Sequence, residues 1–149
     1  MPNPVVIETQ MMIHQPIQQV FEAFIDPEIT SKFWFSASTG KLEQGKSVIW
    51  TWEKYQVSSE VKVTNIIQNT LIQIQWGTPE STVDFIFEQL NETQTYLKIQ
   101  NYNIPLQDEE LIAFIIDSTG GFTTVLDSLK AYLEHGIQLH LIQDKFPPF

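Results

Sequence analysis

The sequence contains neither cysteine nor arginine. Without cysteine there is no disulfide, no thiolate nucleophile and no cysteine-ligated metal. Without arginine there is no bidentate clamp for phosphate or carboxylate. The basic residues are eight lysines, and against 18 acidic residues they leave a formal net charge of −10. That balance lacks the basic footprint that nucleic acid requires, and it disfavours anionic membranes and phosphate-rich ligands. The simplest role of the acidity is solubility. No apolar run approaches the roughly 20 residues of a membrane span, and the first residues lack the charged and apolar regions of a secretory signal. No membrane insertion is therefore expected, and the cytoplasm is the default location. Low-complexity linkers and internal repeats are also missing, so residues 1–149 read as one domain. At 149 residues with 42% hydrophobic content it is large enough to bury a sizeable core.

What is present is a change of period along the chain. Residues 5–13 are β-rich and read as a strand. Pro16 opens a short helix whose apolar residues Ile17, Val20, Phe21 and Phe24 have helical spacing. Asp26-Pro27 ends it, because a residue before proline avoids helical dihedrals. A second short helix is expected over 28–34, ending in the aromatic cluster Phe33-Trp34-Phe35. From there the period is two. Val48, Trp50 and Trp52 alternate with Ile49, Thr51 and Glu53, and the same alternation runs through Val57 to Val63, Ile72 to Trp76, Val83 to Phe87, and Leu97 with Ile99. These read as five half-buried antiparallel strands joined by polar turns, with a further short strand near 37–43. One face of such a sheet is apolar and must be covered.

The only element large enough to cover it is a helix over residues 108–135. Leu111, Ile115, Phe122, Leu126, Leu129 and Leu133 fall on one face. Asp108, Glu109 and Glu110 suit the positive end of the helix dipole, and His135-Gly136 forms a suitable C-terminal stop. The helix would be about 42 Å long at 1.5 Å per residue. Its one anomaly is the pair Gly120-Gly121, which costs about 2 kcal/mol relative to alanine. The pair signals a break, a close packing contact or a functional shape. The apolar stripe keeps its phase across the pair, which favours one continuous helix, bent or closely packed there. The same phase puts Gly120 on the outer side with Ala113, Asp117, Thr124, Asp127 and Ala131. It puts Ser118 and Thr119 on the inner stripe, where aliphatic residues would be expected.

The order of elements and two local motifs carry a resemblance. His14-Gln15-Pro16-Ile17-Gln18-Gln19-Val20-Phe21-Glu22-Ala23-Phe24, followed by Asp26-Pro27-Glu28 and Trp34, resembles the opening motif of the START-like (SRPBCC) superfamily. Gly121-Phe122, Val125-Leu126, Leu129 and Tyr132-Leu133-Glu134 resemble the C-terminal helix of its branch named after the activator of heat-shock protein 90 ATPase. There a Gly-Trp pair is usual, and here Phe122 replaces the tryptophan. The resemblance implies an α+β helix-grip fold. A curved antiparallel sheet of about six to seven strands would wrap around the long C-terminal helix, with two short helices after the first strand. It also implies a cavity between sheet and helix that takes a small apolar ligand.

The residues themselves support that only in part. Trp34, Trp50, Trp52, Trp76, Phe85 and Phe87 would form aromatic walls, and the helix would offer Phe114, Ser118, Thr119, Phe122 and Leu126. Such a set lines pockets, and equally fills cores. Ser118 and Thr119 could face a ligand, or bond back to carbonyls one turn earlier.

No catalytic constellation is visible. His14 suits a surface turn, His135 a helix end, and His135 and His140 are wrongly spaced to share a metal. Asp84 and Glu53 read as outward strand positions. No metal and no cofactor are expected. Residues 137–149 read as an extended tail or edge strand, with Ile137, Leu139 and Leu141 alternating. Phe146-Pro147-Pro148-Phe149 is apolar enough to dock on the domain or on a second subunit. The leading expectation is non-enzymatic binding of a small hydrophobic ligand such as a lipid or aromatic metabolite. A chaperone-activator-type interaction module is the alternative, and a cyclase-like enzyme the third. The partners in view are a small apolar molecule, a chaperone and a second copy of the chain.

Overall fold

The computed structural model describes residues 4–147. Strand β1 (Ile7–Ile13) is followed by helices α1 (Ile17–Ile25) and α2 (Pro27–Thr30). The strands β2 (Ala37–Ser38), β3 (Ser47–Trp52), β4 (Val57–Ile67), β5 (Leu71–Trp76), β6 (Ser81–Asn91) and β7 (Gln94–Tyr102) come next. Helices α3 (Asp108–His135) and α4 (Leu141–Lys145) close the chain. The seven strands form one antiparallel sheet in the order β1-β7-β6-β5-β4-β3-β2. This is the α+β helix-grip architecture that the family resemblance implied.

Local chemistry explains the boundaries. Pro16 precedes α1, which buries Ile17, Val20, Phe21, Ala23 and Phe24 on one side. At its end Asp26 is extended, as a residue before proline should be. Its carboxylate then accepts the Glu28 N–H at 3.0 Å and so caps α2. Helix α2 stops at Thr30, short of the expected residue 34. The Thr30 hydroxyl donates to the Ala23 carbonyl at 2.6 Å. The chain then tightens into three-residue turns, with Lys32 N–H on Ile29 O and Phe33 N–H on Thr30 O. This turns Phe33, Trp34 and Phe35 into the core, where all three are buried.

In the sheet, period-two alternation holds. Trp50, Val61, Val63, Ile72, Ile74, Val83, Phe85, Phe87, Leu97 and Ile99 all point inward and are almost fully buried. A register shift between Val63 and Asn65 adds a residue to β4 and lets the strand bend around the core.

Helix α3 runs unbroken through the glycine pair with the expected ends. Gly136 is left-handed (φ 66°), and the N–H groups of Gly136 and Ile137 return to the carbonyls of Tyr132 and Ala131. Gly120 is exposed, and a Cβ built on it or on Gly121 would meet nothing within 4 Å. Close packing against a neighbouring element therefore does not explain the pair. Two expectations about this helix are corrected. Its stripe is buried only at Phe122, Leu126 and Leu129, while Leu111, Ile115 and Leu133 stay half-buried. Thr124, assigned to the outer side, is buried because α4 folds back across it and Lys145 Nζ donates to its Oγ1 at 2.8 Å.

The segment after α3 is not an edge strand. Ile137 and Leu139 are exposed, and residues 141–145 form a helical turn. Helical spacing puts Ile142 and Phe146 on one side of it. The Tyr55 hydroxyl, on a short 3-10 turn over Glu53–Tyr55, donates to the carbonyls of Phe146 (2.5 Å) and Ile142 (3.3 Å). Of the apolar tail, Pro148 and Phe149 lie outside the described residues.

The C-terminal half of α3 is tied to the first strand by polar contacts. Thr9 and Thr123 hydroxyls meet at 3.1 Å, and Lys130 Nζ donates to Met12 O at 2.9 Å. Glu134 accepts from the His14 N–H (2.8 Å) and from Lys130 Nζ (2.6 Å). Burial pushes the Glu134 carboxyl up, but the His14 and Lys130 contacts outweigh it and hold the group below the ordinary glutamate range.

Two outcomes are expected. Gly120→Ala should stabilise the protein by about 0.5–1 kcal/mol, raising the melting temperature by roughly 2–4 °C. A lower melting temperature would mean that the residue is not an open helical position. Because the Glu134 pKa is depressed on folding, its stabilisation is present above the ordinary glutamate value of about 4.3 and is lost as pH falls below it. Denaturant melts of wild type and Glu134→Gln should therefore differ at pH 7 and converge toward pH 3.

Candidate functional site

The sheet and α3 do not close on each other along their full length. Where α3 passes the ends of β5 and β6, a groove of about 430 Å³ remains. One wall is aromatic, built from Trp34, Trp52 and Trp76 on the sheet side with Phe114 and Phe122 from α3. Phe122 joins the two sides, with ring centroids 6.0 Å from Trp34 and 6.0 Å from Trp76. The mouth is formed by Val57, the turn Gly77-Thr78-Pro79, and Ile142 and Phe146 of the C-terminal segment. Val57 and Phe146 are each about half exposed, which shows that the groove opens to solvent there.

Of the eleven residues expected to line a site, six border this groove: Trp34, Trp52, Trp76, Phe114, Ser118 and Phe122. Trp50, Phe85, Phe87 and Leu126 are buried in the packed interior instead. Phe35 stacks on Trp50 at 4.8 Å, and Phe24 covers Phe85 at 5.0 Å and Phe87 at 6.0 Å. Helix α1 and the aromatic cluster after α2 thus fill the part of the interior that these four residues reach. Thr119 is exposed and outside the groove. At that level the helix is tied to the sheet through Ser118, which bonds to Asn101, and Thr119 lies next to it on the exposed side. The pocket and the core are therefore both present, at opposite ends of one aromatic cluster.

Of the polar part of the groove, Ser118 was expected from the sequence, but Ser81 and Asn101 were not. Asn101, at the end of β7, points inward and is 1% exposed. Its Nδ2 donates to Ser81 Oγ and to Thr82 O, both at 2.9 Å. Its Oδ1 accepts from Ser118 Oγ at 2.8 Å. Ser118 thus bonds across to the sheet and not back along its helix. Thr124 is the residue that bonds back, to Gly120 O at 2.9 Å. The signal that could have found this set is the inward phase of Asn101, two residues after Ile99 and four after Leu97.

A second cavity of about 350 Å³ lies on the other side of α4, against Phe33, Tyr55, Ser128 and His140. Trp34, Trp52 and Ile142 line both cavities and form the partition. The titratable candidates stand apart from the groove. Asp84 lies on the outer sheet face, where Tyr102 Oη donates to its Oδ2 at 2.9 Å while its Oδ1 is buried without a partner. Burial, then the Asp84 contact, raises the Tyr102 pKa. Glu53 is on the 3-10 turn, not on a strand. His14 is exposed with Nδ1 3.2 Å from Gln94 Nε2, and His135 is exposed at the end of α3. Among the described residues, no group of three His, Asp or Glu side chains is placed to hold a metal, and no helix is long and apolar enough to cross a membrane.

Residues 14–134 match the sequence profile described as Activator of Hsp90 ATPase homolog 1-like protein. The chain belongs to this family. The crystal structure of protein SSP2350 from Staphylococcus saprophyticus is 30% identical, over 91% of this chain and 96% of that one, with a TM-score of 0.79. The solution structure of the Aha1 dimer from Colwellia psychrerythraea is similar at 20% identity over 89% and 98% of the two chains, with a TM-score of 0.76. CalU16 from Micromonospora echinospora shares the fold at 14% identity over 95% and 86%, with a TM-score of 0.70. No curated protein matches the chain. The family assignment agrees with the helix-grip architecture, and the 14–134 span contains both motifs that suggested it.

The division between core and groove has a measurable consequence. Phe85→Ala should cost about 3–5 kcal/mol in a denaturant melt. Phe114→Ala should cost clearly less, because half-buried Phe114 leaves no closed cavity behind. Equal losses would place Phe114 in the core.

Proposed function

We propose that the protein binds a small apolar molecule in the groove between the sheet and α3, without chemical conversion. The observation that carries this reading is the groove itself. A volume of about 430 Å³ lies within the range of small-molecule sites. Its wall of three tryptophans and two phenylalanines, with a few hydrogen-bonding groups at one end, has the composition of such sites. The groove lining contains no lysine, and its one acid is the exposed Asp117, which favours an uncharged ligand. Because Trp34, Trp52 and Trp76 line it, occupancy should change tryptophan emission.

A second reading is favoured by a different observation. Ile112 and Ile116, one turn apart on α3, are 58% and 69% exposed. Two isoleucines side by side in water suit a protein contact, and the family name gives the partner to try first, heat-shock protein 90. The Aha1 relative from Colwellia psychrerythraea is a dimer, so self-association is the other contact to test. Binding to that chaperone should weaken in Ile116→Asp, while sedimentation reports any dimer.

The ligand reading is tested by titrating the protein with a panel of lipids and aromatic metabolites, following tryptophan emission and melting temperature. A ligand that binds should lose about tenfold in affinity in Phe114→Ala, through lost apolar contact. Its affinity should be unchanged in Thr119→Leu, because Thr119 is outside the groove. Absence of any response across the panel would rule the reading out.

A further inference from the structure

We infer that the groove selects an uncharged ligand carrying a hydroxyl group, read by Ser81 and Ser118. This deepens the proposed function and rests on it.

The argument starts from proton directions around Asn101. The Thr82 carbonyl can only accept, so the amide atom 2.9 Å from it must be the nitrogen. The same nitrogen donates its other proton to Ser81 Oγ, also at 2.9 Å. The amide oxygen is then the atom that faces Ser118, and at 2.8 Å it must receive the Ser118 proton. The two serines are thereby left in opposite states. Ser118 has spent its proton and keeps lone pairs that can accept. Ser81 has accepted, and its own proton has no acceptor among the described residues.

Both serines line the groove. Ser81 is 4% exposed, and it sits opposite Trp76 in the β5–β6 register, so its free proton lies beside the aromatic wall. An unmade hydrogen bond in such a place is unfavourable, and a ligand group that makes it is favoured. One amide therefore holds a donor and an acceptor at its two ends. A ligand hydroxyl can accept from Ser81 and donate to Ser118 together. An ether satisfies Ser81 alone, and a hydrocarbon neither. A carboxylate would find a single donor here, with Asp117 on the same lining. The Lys145 ammonium meets that lining only through Thr124.

Isothermal titration calorimetry with four matched probes tests this: 2-naphthol, 2-methoxynaphthalene, naphthalene and 2-naphthoate. Each hydrogen bond should give roughly five- to tenfold in affinity, in the order naphthol, methoxynaphthalene, naphthalene. Ser118→Ala should abolish the gap between the first two, and Ser81→Ala the gap between the last two. Equal binding of the three neutral probes, or tightest binding of the naphthoate, overturns the inference and leaves the groove a ligand site. Failure of all four to bind overturns the groove reading as well.

Discussion

The aromatic inner face of the sheet cannot face water, and the C-terminal half of α3 is what keeps it dry. Phe122, Val125, Leu126 and Leu129 are buried on that half. Phe122 is the first of them, and its ring lies within 6.5 Å of Trp34, Trp76 and Phe85. Everything beyond it toward the helix start is only partly covered. The position of this one ring thus sets where the core stops and the groove starts.

The ties that hold α3 in place are polar and lie along β1. Thr123, Lys130 and Glu134 reach Thr9, Met12 and His14 in matching order, so helix and strand run side by side. Each tie alone is a modest contribution. Together they fix the helix register, and hydrophobic burial, which is non-directional, would not do so by itself. The C-terminal segment adds a third support on the opposite flank, through Lys145 on Thr124 and Tyr55 on the α4 carbonyls.

Much of this architecture was legible in residue spacing. The phase of Leu111 to Leu133 across Gly120-Gly121 was enough to argue one helix, because a break would have reset it. Alternation located the strands, since one buried face imposes a period of two. Spacing could not tell pocket from core. Trp50 and Trp76 have the same inward phase, yet Phe35 covers one and the other borders the groove. Nor could it foresee that α4 would cover Thr124, because that contact joins residues far apart in the chain and depends on a turn at Gly136. Asn101 was missed for a different reason: its inward phase is legible two residues after Ile99, but the partners that give it a role, Ser81, Thr82 and Ser118, lie on other elements.

The uneven burial of α3 also bears on motion. Local opening is easiest where few apolar contacts hold the backbone. Residues 108–120 expose Ile112 and Ile116 and contain one of the two glycines, whereas the later turns are locked in the core. Amide protons of the early turns should therefore exchange with solvent much faster than those beyond Phe122. Phe114 and Ser118, which form one side of the groove, ride on the faster half. One wall of the groove therefore belongs to the least firmly held part of the helix, and the other to the sheet.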